Sequence, residues 1–444
     1  MSKMPCFAEL GHIVKRVRAI RGRRCSDGVS TITGGRTLEG RLRPAAAKNS
    51  VLPLLAATLL CDGSCALRTV PYLRDVETSL SLLAAVGGHT IRYGTTLHTQ
   101  PGSGWSGDVP VTLASAMRGS VFYLAPLLHR AGSVRLPLPG GCDLGPRPVD
   151  LHLAGLAAMG AQVEMAEGAI LLRRKGLLHG TDFTLRLPSV GATLTIMLAA
   201  TVAHGTTVLR GAACEPEIED VAAFLNLCGA QIVGAGTPTL VIHGVPALDG
   251  ACYTPLPDRI VACTYAAAVA AAGGQLHIEP CRPEQIALFC DLLCRMGCGA
   301  EKGEQSLTVT RDPAKPLHGG IELCAAAYPG FATDAAPLAA AMLLTAQGES
   351  TLYDGLFQNR FACAAGFAAM GAEVRVQGRK LHLAGTAKLQ GTEVTVPDLR
   401  GGAALCVAAL AAEGTTTLWD PGHLRRGYEH LIQDLVQVGA DAED

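Results

Sequence analysis

Residues Gly366–Leu383 read GFAAMGAEVRVQGRKLHL, and this stretch decides the fold class. Phe367, Ala368, Ala369 and Met370 end an apolar helical segment at Gly371-Ala372. Glycine has no Cβ, so it takes the left-handed conformation that commonly closes a helix. Beyond it, Val374, Val376, Leu381 and Leu383 alternate with polar residues around Gly378. That alternation predicts a β-hairpin with one buried face. Such a unit cannot bury its apolar side alone and calls for copies of itself.

The copies are present. The same helix ending recurs as LLAAVGG at Gly87, GLAAMGA at Gly160, FLNLCGA at Gly229, LLCRMGC at Gly297 and LVQVGA at Gly439, roughly 70 residues apart. A second series runs in phase with it, of apolar helices that end on Gly and lead into a strand. These are LLAATLLCDG to Gly63, YLAPLLHRAG to Gly132, IMLAATVAHG to Gly205, YAAAVAAAGG to Gly274, AAMLLTAQG to Gly348 and VAALAAEG to Gly414. The expected fold is α/β, with six repeats of a strand-helix-strand-strand-helix unit, three in each of two lobes. The sixth copy ends at residues 440–444 before its hairpin, and STIT at Ser30–Thr33 with the following GGRTLEGRL supplies the missing partner. The expected organisation is an N-terminal extension over residues 1–29, one lobe over 49–256, and a second lobe over 30–48 plus 257–444. The crossovers then fall near Lys48 and near Leu256–Asp258, with substrate in the cleft between lobes.

Composition narrows the function. The 444 residues suit two domains. Apolar residues make up 49% and aromatics 4%, so the cores are built from Ala, Leu and Val. Lys and Arg number 37 against 38 Asp and Glu, which removes the electrostatic case for a nucleic-acid or polybasic membrane surface. No apolar run approaches the ~20 residues of a spanning helix. The first 29 residues carry Lys3, Lys15, Arg16, Arg18, Arg21, Arg23 and Arg24 without the apolar centre of a secretory signal, and read as a disordered or marginally helical extension, with a targeting role or a misplaced start codon as lesser readings. The 16 cysteines follow no secreted-scaffold pattern, so reduced thiols in a cytoplasmic protein are expected. Cys290, Cys294 and Cys298 stack along one helical face and read as small buried hydrophobes.

Residues Leu136–His152, LPLPGGCDLGPRPVDLH, form neither helix nor strand, and so a surface loop. A cysteine exposed there is unusual, since free cysteine is normally buried. Arg147 favours the thiolate of Cys142 while Asp143 opposes it, and local residues alone leave its role open. Arg118 interrupts an apolar helix face of Leu113, Met117, Val121, Leu124 and Leu128. Asp334 precedes the apolar helix AAPLAAAMLL, where a helix cap and a catalytic carboxylate are both open readings.

The Cys142 loop resembles the catalytic loop of the UDP-N-acetylglucosamine 1-carboxyvinyltransferases, and the likeness runs from about Ile32 to Gly439. The segments that carry it include AAAKNSVLP around Lys48 and Asn49, AMRGS around Arg118, PSVGAT from Pro188 and EPEIED from Glu215. Further on come LPDRI from Leu256, PGFATD ending at Asp334, FQNR from Phe357, DLRGGAAL from Asp398 and RRGYE around Arg426. The resemblance implies an EPSP synthase-like, two-lobed inside-out α/β barrel. It also implies enolpyruvyl transfer from phosphoenolpyruvate to the 3′-hydroxyl of UDP-N-acetylglucosamine, the first committed step of peptidoglycan synthesis. The hydroxyl attacks C2 while C3 gains a proton, and the tetrahedral intermediate then loses phosphate. No metal or organic cofactor is implied, because phosphoenolpyruvate carries the activated group.

By the same resemblance Cys142 delivers the proton to C3, forms a covalent adduct and is the target of fosfomycin. Asp334 is the base for the sugar hydroxyl, or positions it. Lys48, Asn49, Arg118, Arg147 and Arg426 hold phosphoenolpyruvate, with Lys48 and Arg426 counted as catalytic. Asn49, Arg118, Arg147, Pro148, Val149, Asp150, Leu151, Ser189, Val190, Gly191, Asp334 and Leu356 bind the nucleotide sugar. Arginine suits bidentate clamping of anions and lysine acts as a point charge. Four places depart from the family pattern: RPAAAKN precedes and includes Lys48 where a Ser-Gly pair is usual, Gln358 stands for Glu, Val261 for Glu, and Arg425 for Asp. Two other readings remain: a non-catalytic UDP-sugar-binding paralogue, and the sister transferase acting on shikimate 3-phosphate.

Overall fold

The computed structural model describes residues 28–141, 145 and 148–444, so the N-terminal extension lies almost wholly outside them. The repeat is visible in the backbone. Gly87, Gly160, Gly229, Gly297, Gly371 and Gly439 all have φ between +92° and +108°, where a Cβ strains the chain. The second series follows at Gly132, Gly205, Gly274, Gly348 and Gly414. Gly63 differs: a Cβ there would stand 2.5 Å from the backbone nitrogen of Gly250, so close passage of two chains requires it.

One strand order recurs in the sheets. The sheet of the fifth unit runs Glu322–Ala325, Ser350–Asp354, Lys380–Leu383, Val374–Gln377. Its first pair is parallel and the other two are antiparallel. Each unit thus carries a short parallel strand beyond the three expected. At two to five residues that strand leaves little periodic signal. In the sheet of Ser133–Pro137 it shrinks to a single parallel bridge, Asp108 to Arg135.

Two units exchange this short strand. Leu38–Leu42 pairs with Gly274–Ile278, whereas Cys252–Tyr253 pairs with Cys65–Leu67. Each is followed by a helix of the other unit, Lys48–Ala57 and Arg259–Ala272 respectively. The two crossing segments run side by side. The Ala47 N–H donates to Leu256 O at 2.7 Å, and the Asp258 N–H to Ala45 O at 2.8 Å. In the sixth sheet Val29–Thr33 lies between Thr415–Trp419 and Asp441–Glu443, the place that a second hairpin arm holds elsewhere.

Two separate hydrophobic cores result. One is built from residues between Ala46 and Ala251; the other joins Ile32, Leu38 and Leu42 to residues between Val261 and Ala440. In the second, helices Arg259–Ala272, Ala336–Leu343 and Leu399–Leu410 pack on one another. They are buried almost all round and rich in alanine, which lets their axes approach closely and leaves little room for aromatics. The strands alternate buried and half-exposed residues, as in Ser350–Asp354, so sheets lie outside helices.

Three local expectations need correction. The segment Leu136–His152 is not all loop: Leu136 and Pro137 end the strand Ser133–Pro137, and Asp150, Leu151 and His152 open the helix Asp150–Ala158. The helix through Leu113–Leu128 is broken: Val111–Ala116 is α, Met117 is extended, Arg118–Tyr123 is 3-10, and Leu124–Ala131 is α again. The Ser120 hydroxyl reaches the carbonyls of Ala114 and Met117, both at 3.0 Å, which satisfies groups the break releases. The cysteines at 290, 294 and 298 share no face. The helix ends at Arg295, Cys290 and Cys298 are buried, and Cys294 is exposed.

Candidate active site

Lys48 opens its helix at the crossover. Its backbone N–H donates to Asp258 Oδ2 at 3.1 Å. Asp258 Oδ1 accepts from the N–H groups of Ile260 and Val261, and so caps helix Arg259–Ala272. One carboxylate therefore serves the first turns of helices from both cores. Val261, a departure from the family pattern, is 8% exposed and packs into the second core, where an apolar side chain is suited.

The Lys48 ammonium lies 3.3 Å from Asp75 Oδ2. Arg426 takes the same carboxylate from the other side, Nε to Oδ1 at 2.9 Å and Nη2 to Oδ2 at 3.3 Å. Lys48 and Arg426 are each 12% exposed and Asp75 is 6%. Asp75 stands in the first turn of helix Arg74–Ala85, where the helix dipole favours a negative charge. The loop that brings Arg426 is shaped by Asp420, which accepts from the N–H groups of Gly422, His423 and Leu424. Sequence reading missed Asp75, and no motif marks it. Arg425 is exposed in the same 3-10 turn.

Asp334 does not cap the helix after it, since no side-chain oxygen caps Ala336–Leu343. Instead it accepts from Arg400 Nε and Nη2 at 3.1 and 3.0 Å, and Arg360 Nη2 lies 3.1 Å from its other oxygen. Burial alone would raise its pKa. The charges of Arg400, Arg360 and Lys48 overcome this and hold the carboxyl well below the usual range. The two guanidiniums are 5% and 1% exposed, so each needs this anion. Arg360 also donates to Thr333 Oγ1 at 2.9 Å. Arg400 sits beside Tyr428, whose hydroxyl meets Thr264 Oγ1 at 2.8 Å. Arg360 and Arg400 stand within the FQNR and DLRGGAAL segments, though the sequence did not single them out.

Cys142 and Arg147 lie outside the described residues, but the flanks of their loop do not. Gly141, with φ +123°, passes Arg118 so closely that a Cβ would stand 3.3 Å from the arginine's Cβ. A Cβ on Gly145 would stand 3.3 Å from Gln358 Cβ. Gly141 therefore lies beside Arg118 of the first lobe, and Gly145 lies against Gln358 of the second. Arg118 Nη2 donates to Pro148 O at 3.3 Å.

The positions matched to the nucleotide sugar gather mainly at two helix starts that pack together. Val149 precedes helix Asp150–Ala158, and Ser189 caps Val190–Thr201 through the Ala192 N–H at 3.3 Å. Asp150 pairs with Arg186, bracing one start against the other. His152 lies between them with Nδ1 2.8 Å from Thr195 Oγ1, and burial followed by the Arg118 charge pushes its pKa down to about 3. A Cβ on Gly191 would stand 2.8 Å from the His152 ring, so this helix start must be bare backbone. Such a start presents free N–H groups suited to an anion. Leu151 is half-buried here and packs against the first core. Asn49, half-buried, follows Lys48, while Leu356 is 41% exposed on the second lobe with its N–H held by Asp354.

The lobes thus meet through charge, not through a shared apolar core. Arg259 adds a bidentate pair to Glu217 of the first lobe at 2.9 and 3.3 Å. A cavity of about 380 Å³ lies behind the crossovers, lined by Arg43, Thr69, Pro255, Arg282 and Gln305 among others. It includes none of the cations above.

A repeat-built, two-lobed α/β fold whose lobes are joined by buried ion pairs defines the class. The chain belongs to the EPSP synthase (3-phosphoshikimate 1-carboxyvinyltransferase) family, whose profile matches residues 32–435. It is 41% identical over 414 residues to UDP-N-acetylglucosamine 1-carboxyvinyltransferase 2 of Caldanaerobacter subterraneus subsp. tengcongensis, covering 92% of this chain and 98% of that one. It is 39% identical over 412 residues to UDP-N-acetylglucosamine 1-carboxyvinyltransferase of Solidesulfovibrio magneticus, covering 93% and 98%. Among solved structures, the enolpyruvyl transferase NikO from Streptomyces tendae matches with a TM-score of 0.85 at 28% identity, over 94% of this chain and 99% of that one. EPSP synthase from Acinetobacter baumannii matches with a TM-score of 0.71 at 16% identity, over 94% and 99%, a likeness of fold alone.

Proposed function

We infer that the chain transfers the enolpyruvyl group of phosphoenolpyruvate to the 3′-hydroxyl of UDP-N-acetylglucosamine, releasing phosphate, as the first committed step of peptidoglycan synthesis. The observation that carries the reading is the nearness of two charged clusters, Lys48 and Arg426 on Asp75 and the two arginines on Asp334, with the Lys48 charge felt at the Asp334 carboxyl. A cluster of Lys48 and Arg426 suits a phosphate and a carboxylate, and near it Asp334 is fixed between two guanidiniums. Identity of about 40% to enzymes of that name over more than nine-tenths of the chain supports it. The EPSP synthase from Acinetobacter baumannii, by contrast, is 16% identical.

In this mechanism Lys48, Asn49, Arg118, Arg147 and Arg426 bind phosphoenolpyruvate and stabilise the charge that grows as phosphate leaves. Asp75 balances Lys48 and Arg426 until the substrate anion takes its place. Cys142 donates the proton to C3, a role a thiol can fill because its ordinary pKa of about 8.5 is not far from neutral pH. Asp334 is too acidic in this arrangement to hold a proton near neutral pH. Its part is to accept the hydrogen bond of the sugar hydroxyl and aim it at C2; it becomes a base only as binding draws the arginines away. Pro148, Val149, Asp150, Leu151, Ser189, Val190, Gly191 and Leu356 hold the nucleotide. Lobes over residues 49–256 and over 30–48 plus 257–444 close on the substrates, excluding water. Among the described residues no helix is long and apolar enough to cross a membrane; with these substrates, a cytoplasmic setting follows.

Phosphate release from phosphoenolpyruvate tests this, with UDP-N-acetylglucosamine or shikimate 3-phosphate as acceptor. Release with the sugar nucleotide alone is expected. Folded protein that binds the sugar nucleotide and releases no phosphate would return the reading to a non-catalytic paralogue.

A further inference from the structure

Away from the cleft, three thiols converge where the sequence shows no motif. Cys61 follows the 3-10 turn Thr58–Leu60, Cys65 opens the strand Cys65–Leu67, and Cys228 ends the helix Pro216–Leu227. All three are at most 1% exposed, and their sulfurs lie within 4.8 Å of one another. Buried cysteine is ordinarily a small hydrophobe, and Cys290 and Cys298 are used that way. This group differs because three separate elements aim sulfur at one point. Beyond one another the thiols make long contacts, Cys61 to Ala57 O and Cys65 to Gly63 O, each at 3.9 Å, and Cys65 also meets Ala251 and Thr99.

We propose that Cys61, Cys65 and Cys228 form an all-sulfur site for one thiophilic, low-coordinate metal ion, with Cu(I) the ion it fits. Three sulfurs at ~2.3 Å from a central ion stand ~4.0 Å apart, so closure asks for shifts of less than ~1 Å. Among the described residues no His, Asp or Glu joins the group. A zinc ion asks for a fourth ligand, and Ca²⁺ and Mg²⁺ ask for oxygen. Soft sulfur donors in a dry, three-coordinate pocket select Cu(I). Charge sets the protonation: two thiolates and one thiol around Cu(I) leave a single negative charge in the core, whereas three thiolates leave two. Binding therefore releases two protons, with no change of oxidation state when the ion arrives as Cu(I). The helix that ends at Cys228 carries Glu217 in its first turn, paired with Arg259 of the other lobe. A bound ion would stiffen the lobe at the base of that contact.

The test uses the full chain, reduced and anaerobic, titrated with Cu(I) buffered by a bathocuproine chelator. Wild type is expected to hold one more equivalent than the Cys65→Ala/Cys228→Ala variant at equal free Cu(I), and to melt higher once loaded. X-ray absorption should show a sulfur-only shell of two to three ligands. A variant with Cys252, Cys294 and Cys324 each changed to Ser removes exposed thiols and must keep the ion. Equal stoichiometry in wild type and the double variant would overturn the site. So would loss of the ion from the exposed-thiol variant, or a disulfide among the three by mass with no copper taken up. Should the double variant not fold, the absorption shell and the exposed-thiol variant decide between these outcomes.

Discussion

At the scale of single residues, Asp334 shows how far neighbours determine what a side chain can do. Its carboxylate is the common partner of Arg360 and Arg400, so removing it does two things. Asp334→Ala should lower turnover by at least ~100-fold, and should destabilise the fold by ~3 kcal/mol because two buried cations lose their anion. Asp334→Asn should lose comparable turnover with a smaller fall in melting temperature. Near-normal turnover in either would remove Asp334 from the reaction. His152 supplies a pH effect. Its folded pKa of about 3 lies below the unfolded value of 6.5, so between these the unfolded chain binds more protons. The contribution is complete above pH 6.5 and is lost as pH falls, amounting to ~3 kcal/mol at pH 4. His129, pushed down to about 4 by burial and then by Arg130, acts in the same direction. Urea denaturation of His152→Gln should show a slope against pH flatter by about one proton across this range. An unchanged slope would mean that the ring reaches water.

At the scale of elements, helix starts do most of the positioning. Asp258 caps Arg259–Ala272 and also holds the Lys48 N–H, so one residue fixes helices from both lobes. Asp258→Ala should cost about 1–2 kcal/mol of stability. It should also raise KM for phosphoenolpyruvate several-fold more than it lowers kcat, because Lys48 loses its register. Steady-state kinetics beside thermal melts separate the two effects, and an unaltered KM would confine Asp258 to capping. The start of Val190–Thr201 sits against His152 with no room for a Cβ at Gly191. Gly191→Ala should push this start away from the nucleotide and weaken UDP-sugar binding by ~10-fold or more, about 1.4 kcal/mol, as read by calorimetry. Unchanged affinity would mean that the nucleotide lies elsewhere. The element pattern was legible in the sequence wherever a helix ends on Gly or a strand alternates. The short parallel strands were not, because Cys252–Tyr253 is too brief to carry a period. The break at Met117 was not legible either, since apolar spacing runs straight through a helix whose hydrogen bonds are replaced by Ser120.

For the whole molecule, two cores meet through Asp75, Asp258 and Glu217, each reaching a partner beyond its own core. Asp75 pairs with both Lys48 and Arg426, and under the proposed function a substrate anion competes for the same two cations. Asp75→Asn should lower the melting temperature in anion-free buffer and regain much of the loss in phosphate, with inorganic phosphate bound ~10-fold tighter. No recovery in phosphate would count against this competition. The sequence by itself determined the sixfold unit and the two-lobed fold class, and it singled out Lys48, Asp334 and Arg426 as candidates, because periodic apolar residues, recurring Gly and ordered motifs are local signals. Only the tertiary structure decided that Asp75 balances Lys48 and Arg426, that Asp334 is held by Arg360 and Arg400 instead of capping a helix, and that Cys61, Cys65 and Cys228 meet. The physical reason is distance along the chain. Asp75 and Arg426 are 351 residues apart, and a charge or a thiol carries no mark in the sequence of the partner that folding brings to it.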